Sequence, residues 1–453
     1  MSKKNNENII LEEYENEFSY KKNKSNLKIE FNRVAFIFFV FLTISVIYSI
    51  QLLHLGSLKK DKVNTKSTIN KKNYRADIID RSGNYLVKTV SSIDIGINPV
   101  EVIDKKKLLI NLQLIFPNKN YLEIKRKLNK KKFFYFEKKI SSINYEKIML
   151  LGDKSIKSEE KLTRIYPQKN LFSHIIGQID DDNNGISGIE KSFDEKLKSI
   201  EKPLKLTVDT EIQFLIREEL KKFQLIFKSR GSTAILMNVN NGEIISMVSY
   251  PDFNLNKRET IEDKDYINRA TKGVYELGSV FKTFTVAAGL DAGLVEPETE
   301  FLNLEKKLKC GNSTIAEYDN KIPSDLTVEE ILIRSGNIGS VRIGQRLEIE
   351  RLKNFLERIG ILSKIDFDIE EVGEPIPFKW GKCKLATVSF GHGITTTPLQ
   401  LAKAYAIISN GGFEIKPTLI KLDSLDKEKN KRLIKEGVSK KINQILRKIV
   451  NTK

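Results

Sequence analysis

Cysteine, histidine and tryptophan are nearly missing from this chain of 453 residues, which has two cysteines, three histidines and one tryptophan. Two cysteines, Cys310 and Cys383, are too few for a disulfide-built scaffold or a cysteine-rich zinc site. They could pair in an oxidising compartment, and the sequence leaves that open. With only His54, His174 and His392 available, a histidine-dependent serine hydrolase has few candidate bases, so a lysine-activated nucleophile gains weight. His174 reads as a packed structural histidine. Nothing points to a cofactor or a metal. Nucleic-acid motifs are also missing. The formal net charge is +18, from 77 Lys and Arg against 59 Asp and Glu. The lysines are spread along the whole chain, which reads as solvated surface and not as a nucleic-acid face.

Charge is missing altogether from Val34 to Leu58, where there is no Asp, Glu, Lys or Arg. Its apolar core, Val34 to Leu53, is about 20 residues long, enough to cross the roughly 30 Å hydrocarbon of a bilayer as a helix. The preceding region is too long, and the apolar run too extended, for a cleaved signal peptide. Residues 1–33 read as a polar, disordered tail. Lysines flank the span on both sides, so the positive-inside rule does not orient it.

What is present beyond the span is a folded chain with a hydrophobic share of 40%. Ile78-Ile79, then Ser82-Gly83-Asn84, then Tyr85-Leu86-Val87 reads strand, turn, strand. Short lysine-rich helices are expected over 100–160, and an amphipathic helix over 211–227. Strands at 232–239 and 243–249 flank Asn240-Asn241-Gly242, a hairpin signal. Ser279-Val280-Phe281-Lys282 opens a nearly all-apolar helix. Residues three apart share a helix face, so the Lys282 amine can reach the Ser279 hydroxyl. Gly278 gives the turn its freedom, the helix dipole favours an alkoxide at Ser279, and burial without a carboxylate partner would lower the lysine pKa. Thr327 and Glu330 form a capping box for a short helix that ends in Ser335-Gly336-Asn337. That loop offers a hydroxyl for proton relay and an amide to bind substrate and orient the lysine. Either motif alone is common by chance; the two in this order are far more specific.

Ser279-x-x-Lys282 followed by Ser335-x-Asn337 resembles the active site of penicillin-binding proteins and serine β-lactamases. The membrane span narrows the resemblance to the class B penicillin-binding proteins, peptidoglycan D,D-transpeptidases. So do Arg75 with Asp80-Arg81-x-Gly83, Arg164-x-Tyr166-Pro167, Gly185-x-x-Gly188-Ile189-Glu190 and Leu206-Thr207-x-Asp209. Asn240-x-Gly242-Glu243-Ile244, Ser389-Phe390-Gly391-His392-Gly393 and Thr397-Pro398-Leu399-Gln400 fit as well. Tyr275-Glu276-x-Gly278-Ser279 is more similar to the septal, cell-division type.

The resemblance implies an α+β protein with a cytoplasmic tail (1–33), a transmembrane helix (34–55), a mixed α/β pedestal of dimerisation type (56–200) and a transpeptidase domain (201–453). The last is expected to be an antiparallel sheet flanked by helices, with an all-helical part. It implies Ser279 as nucleophile, Lys282 as base, Ser335 as proton relay and Asn337 as a substrate contact, with no cofactor and no metal. Implied partners are peptidoglycan stem peptides, the lipid-linked precursor, the membrane, a glycosyltransferase and division-machinery membrane proteins. The implied location is the inner membrane, with the catalytic domain periplasmic. Two departures stand out. The family's Lys-Thr-Gly motif does not occur in these residues, so the expectation is a C-terminally truncated copy, with a non-catalytic division scaffold as the alternative. His392 stands where the family often has tyrosine.

Overall fold

The computed structural model describes residues 24–57, 74–257, 262–311, 313–421 and 431–451. The chain divides into two units, Met1–Lys71 and Lys72–Lys453. Among the described residues, the first holds helix α1 (Lys24–Ser57). Its stretch Arg33–Leu53 has 21 residues of mean hydropathy 2.3, about 31 Å at the helical rise. Apolar residues are exposed all round it, as a lipid-facing helix requires. The Thr43 hydroxyl donates back to the carbonyls of Phe39 and Val40, which satisfies that polar group within the helix, as an apolar medium demands. The helix begins at Lys24, inside the segment read as a disordered tail, because nothing in Lys24–Arg33 breaks a helix that the apolar run nucleates. Residues 1–23 of that tail, and most of the connector after the helix, lie outside the described residues.

The second unit opens with the pedestal. β1 (Ile78–Ile79) pairs antiparallel with β2 (Tyr85–Ile97) across the Ser82-Gly83 turn. Helices α2 (Lys105–Ile115) and α3 (Tyr121–Asn129), strand β3 (Phe134–Ile140), helix α4 (Ser142–Met149) and strand β4 (Ile156–Ile165) follow. Short helices were expected here; the two long strands were not, because lysines and glutamates mask their alternation. β2 carries β3 on one part and runs antiparallel to β4 from Lys88↔Ile165 to Ile97↔Ile156. Three short helices, α5 (Ser173–Ile176), α6 (Gly188–Ser192) and α7 (Asp194–Ser199), lead to β5 (Leu204–Lys205), which joins β1 in parallel.

The motif residues Arg75, Arg164 and Glu190 meet in the pedestal interior. Glu190 is fully buried and accepts from Arg75 Nε at 2.5 Å and Arg164 Nε at 2.9 Å. Arg75 also donates to Asp194 at 2.6 Å, and Arg164 to the Arg75 carbonyl at 3.0 Å. This buried cluster ties β4, α6 and α7 to the strand that enters the fold. Removing the central carboxylate leaves Arg164 without its ion-pair partner and Arg75 with Asp194 alone, a loss of about 3–5 kcal/mol for a broken buried pair. Glu190→Ala is therefore expected to lower the urea midpoint by that equivalent; an unchanged midpoint contradicts the assignment.

Asp209 caps α8 (Thr210–Phe227) through the amides of Glu211 and Ile212, and Thr210 donates to Asp80 of the pedestal turn at 2.6 Å. β6 (Ser232–Met237) and β7 (Ile244–Tyr250) form the hairpin, paired from Ser232↔Tyr250 to Met237↔Ile244. α8 lies on this hairpin through buried Gln213, whose amide bonds Leu171, Ser246 and Met247. Its apolar residues Phe214, Leu215, Phe223, Ile226 and Phe227 are exposed instead. The amphipathic pattern therefore marks a face that no described residue covers.

After α9 (Asp263–Tyr266) the chain enters a mainly helical half around α10 (Lys282–Asp291). It contains β8 (Glu300–Phe301), the hairpin β9 (Lys307–Cys310) and β10 (Ser313–Ala316), β11 (Leu326–Thr327), α11 (Val328–Ile333) and α12 (Asn337–Arg358). α13 (Lys382–Val388), α14 (Pro398–Ser409) and α15 (Glu436–Asn451) complete it. Phe281, just before the central helix, and Phe284, Val286, Ala287 and Leu290 of it share one core with Val341, Ile343, Ile407, Ile442 and Ile445. The fold is α+β, as the sequence implies.

Candidate active site

Ser279 lies in a 3-10 turn, Gly278–Phe281, and the α-helix proper starts at Lys282. The serine is thus one turn before the helix that the sequence pattern assigns it to. In a 3-10 turn residues three apart eclipse, so this winding brings Ser279 and Lys282 together. Gly278 adopts φ +63, a conformation glycine takes without strain. Gly391 is required on the other side: a Cβ there would lie 2.0 Å from the Gly278 carbonyl oxygen. The Ser389–Gly393 loop is in this way pressed against the backbone that presents the serine. Tyr405 of α14 holds the same turn from behind, donating to the Val280 carbonyl at 2.7 Å.

Lys282 is fully buried. Its Nζ is 3.2 Å from Ser279 Oγ, 2.9 Å from Ser335 Oγ and 2.5 Å from the Ser335 carbonyl. A neutral amine has two N–H groups and one lone pair. Donation to the two Ser335 oxygens leaves the lone pair for the Ser279 hydroxyl proton. Burial drives the lysine down from its ordinary value to about 8, against the opposing charge of Glu317. The expectation of a lysine without a carboxylate nearby is corrected here: Glu317 is nearby, and desolvation outweighs it.

Ser335 reaches the lysine because of how α11 ends. Thr327 and Glu330 form the expected capping box at its start. At its end Gly336 N–H bonds the Ile331 carbonyl and Ser335 N–H the Leu332 carbonyl, a Schellman closure. Ser335 occupies the left-handed position of that closure, φ +55, where glycine is usual. A non-glycine residue there costs about 1–3 kcal/mol, and its hydroxyl and carbonyl both point at Lys282. Ser335→Gly is accordingly expected to fold at least as stably, by thermal melting, while serine acylation slows about a hundredfold through loss of the hydroxyl. Parallel loss of stability and rate would contradict this account.

Asn337 stands apart from the trio. Its Nδ2 donates to the Ala316 carbonyl at 2.8 Å, while the Lys282 amine meets the two Ser335 oxygens. Glu317 accepts from the amides of Asn337 at 2.7 Å and Ile338 at 2.8 Å. No sequence pattern singles this glutamate out. His392 pairs with Glu276 at 3.1 Å and stacks on Phe390 at the rim. His174 is held by the Asp265 carbonyl at 2.7 Å, and burial lowers it to about 4, in keeping with a structural role. Cys310 and Cys383 form a disulfide with Cα atoms 5.4 Å apart, joining β9 to α13.

A serine and a buried lysine at the start of a central helix, faced by a second serine from an inter-helix turn, define the acyl-serine class of transferases and hydrolases. The chain belongs to the penicillin-binding proteins. Residues 70–224 match the penicillin-binding protein dimerisation domain and residues 232–453 the penicillin-binding protein transpeptidase domain. It is 30% identical over 379 residues to the probable peptidoglycan D,D-transpeptidase FtsI of Caulobacter vibrioides, covering 82% of this chain and 64% of the relative. It is 27% identical to stage V sporulation protein D of Bacillus subtilis (83% and 65% covered) and 28% identical to the peptidoglycan D,D-transpeptidase FtsI of Escherichia coli K12 (84% and 69%). The chain spans about two-thirds of the length of these relatives.

Proposed function

We propose that the protein is a serine-type peptidoglycan D,D-transpeptidase of class B, acting in septal wall synthesis. The observation that carries this reading is the contact of one buried lysine with Ser279 and Ser335 together. Neutral Lys282 takes the Ser279 proton, and Oγ bonds to the carbonyl carbon of the penultimate D-Ala of a stem peptide. The Ser279 backbone N–H supports the oxyanion. The C–N bond breaks, and the terminal D-Ala leaves with a proton delivered through Ser335 and Lys282. An amine of a neighbouring stem then attacks the acyl ester, releases Ser279 and forms the cross-link. Asn337 contacts the peptide substrate. β-Lactams acylate the same serine.

The domain order proposed is a cytoplasmic tail to residue 33, an anchor over 34–55, a pedestal over 56–200 and the transpeptidase domain from 201, with both domains periplasmic. The disulfide supports this orientation, since such bonds persist in oxidising compartments. The septal role rests on the Tyr275-Glu276-x-Gly278-Ser279 sequence and on the FtsI relatives. The lipid-linked precursor, a glycosyltransferase and division-machinery membrane proteins are the proposed partners. Purified protein is expected to bind a fluorescent penicillin covalently and to release D-Ala from a stem pentapeptide. A folded chain that takes no label contradicts the enzyme and favours a scaffold of the division machinery.

A further inference from the structure

Glu317 enters no step above, yet it sits at the junction of the site. It follows the β9–β10 hairpin, whose far end the Cys310–Cys383 disulfide fixes to α13. Three consecutive residues at the near end grip the Ser335 turn from both sides. The Ala316 carbonyl accepts from Asn337 Nδ2, the Glu317 carboxylate accepts from the Asn337 and Ile338 amides, and the Tyr318 hydroxyl donates to the Arg334 carbonyl at 3.2 Å. Those two amides are the first of α12, where a carboxylate meets unsatisfied donors and the positive end of the helix dipole. The cap is supplied from another element: Gly336, at the N-cap, has no side chain to provide one.

Resting on the acyl-serine reading, we propose that Glu317 is a positioning residue for the acylation centre: its carboxylate fixes the first turn of α12, and with it the strained Ser335 turn, at the distance from which both Ser335 oxygens meet Lys282. Two consequences differ in kind. Its hydrogen bonds set the geometry of Ser335. Its charge favours the protonated form of Lys282, so the residue trades basicity at low pH for a fixed site. The other charged or titratable groups around the lysine leave this assignment in place. From α14, Tyr405 bonds Val280 and Thr283. The Glu276–His392 pair is at the exposed rim. From α13, Lys384 donates to the Gly393 carbonyl.

The test compares Glu317→Gln and Glu317→Asp with the wild-type chain. It reads the acylation rate with a fluorescent penicillin as a function of pH, and amide hydrogen exchange at Asn337 and Ile338. Glu317→Gln replaces one acceptor by a donor and removes the charge. Acylation is expected to slow about tenfold or more at its plateau, with the rising limb moved to lower pH and exchange at the two amides accelerated. Glu317→Asp keeps the charge but is one methylene short; it should slow acylation with the limb unmoved. A purely structural residue would lower the rate and leave the limb in place in both variants. A Gln variant with wild-type rate, limb and exchange overturns the proposal. A wild-type chain that takes no label instead overturns the acyl-serine reading, and the exchange measurement still decides whether Glu317 holds the turn.

Discussion

Ser279→Ala is expected to abolish covalent labelling by penicillin, lowering the acylation rate by about 10⁶-fold, the scale seen when an acyl-enzyme nucleophile is removed. The alanine fits where the serine is, because the 3-10 turn Gly278–Phe281 is held by Gly278 at φ +63, by the close approach of Gly391 and by Tyr405, none of which uses the hydroxyl. The variant should therefore melt near the wild-type temperature. The measurement is gel fluorescence after incubation with a fluorescent penicillin, alongside the melt. Full labelling of a folded Ser279→Ala chain would remove the serine from the mechanism.

Lys282→Met carries the second-largest effect, a fall of about 10²–10⁴ in acylation rate, the usual contribution of a positioned general base. Methionine fills the buried channel without a charge, so the loss falls on chemistry more than on folding. The wild-type pH profile supplies the companion result. In the proposed mechanism the base is the neutral amine, and burial lowers its pKa to about 8. The neutral fraction is about one-tenth at pH 7 and about nine-tenths at pH 9. Acylation should climb by about that ratio between the two and level off above, and the Met variant should lose this limb. A flat wild-type profile through this range would assign the proton to another group.

How much of this was legible in the sequence depends on how local the signal is. Ser279 and Lys282 are three residues apart, and the capping box at Thr327 and Glu330 lies just before Ser335, so both halves of the site could be read along the chain. Their meeting at 2.9 Å between Lys282 and Ser335 could not, since it depends on packing α10 against the α11–α12 turn. Glu317 escaped for the same reason: a single glutamate after a hairpin has no periodicity, and its function exists only where the α12 amides arrive. The buried cluster of Arg75, Arg164 and Glu190 looks like surface charge until the fold closes over it. The family resemblance marked those three residues without giving the reason, which is electrostatic. α8 misled in the other direction. Its apolar pattern suggests a packed face, yet Gln213 is the residue it buries. The hairpin β6–β7, by contrast, follows directly from Asn240-Asn241-Gly242 between two β-branched, apolar runs.

The positive φ of Ser335 is the clearest link between fold and chemistry. A glycine would close α11 without strain, and the serine there puts two oxygens on one buried amine. Stability is spent locally on a polar contact that the fold does not need, which is the pattern expected at functional positions.

In the proposed mechanism the Ser279 Oγ is the acylated atom, with Lys282 and Ser335 as its proton path. The most direct measurement is mass spectrometry of the intact protein after reaction with benzylpenicillin, followed by peptide mapping. One adduct of the antibiotic's full mass is expected on the peptide containing Ser279, with its rate rising with pH through about 8 and levelling off above about pH 9. An adduct on any other residue, or a folded protein with no adduct across that pH range, would contradict it.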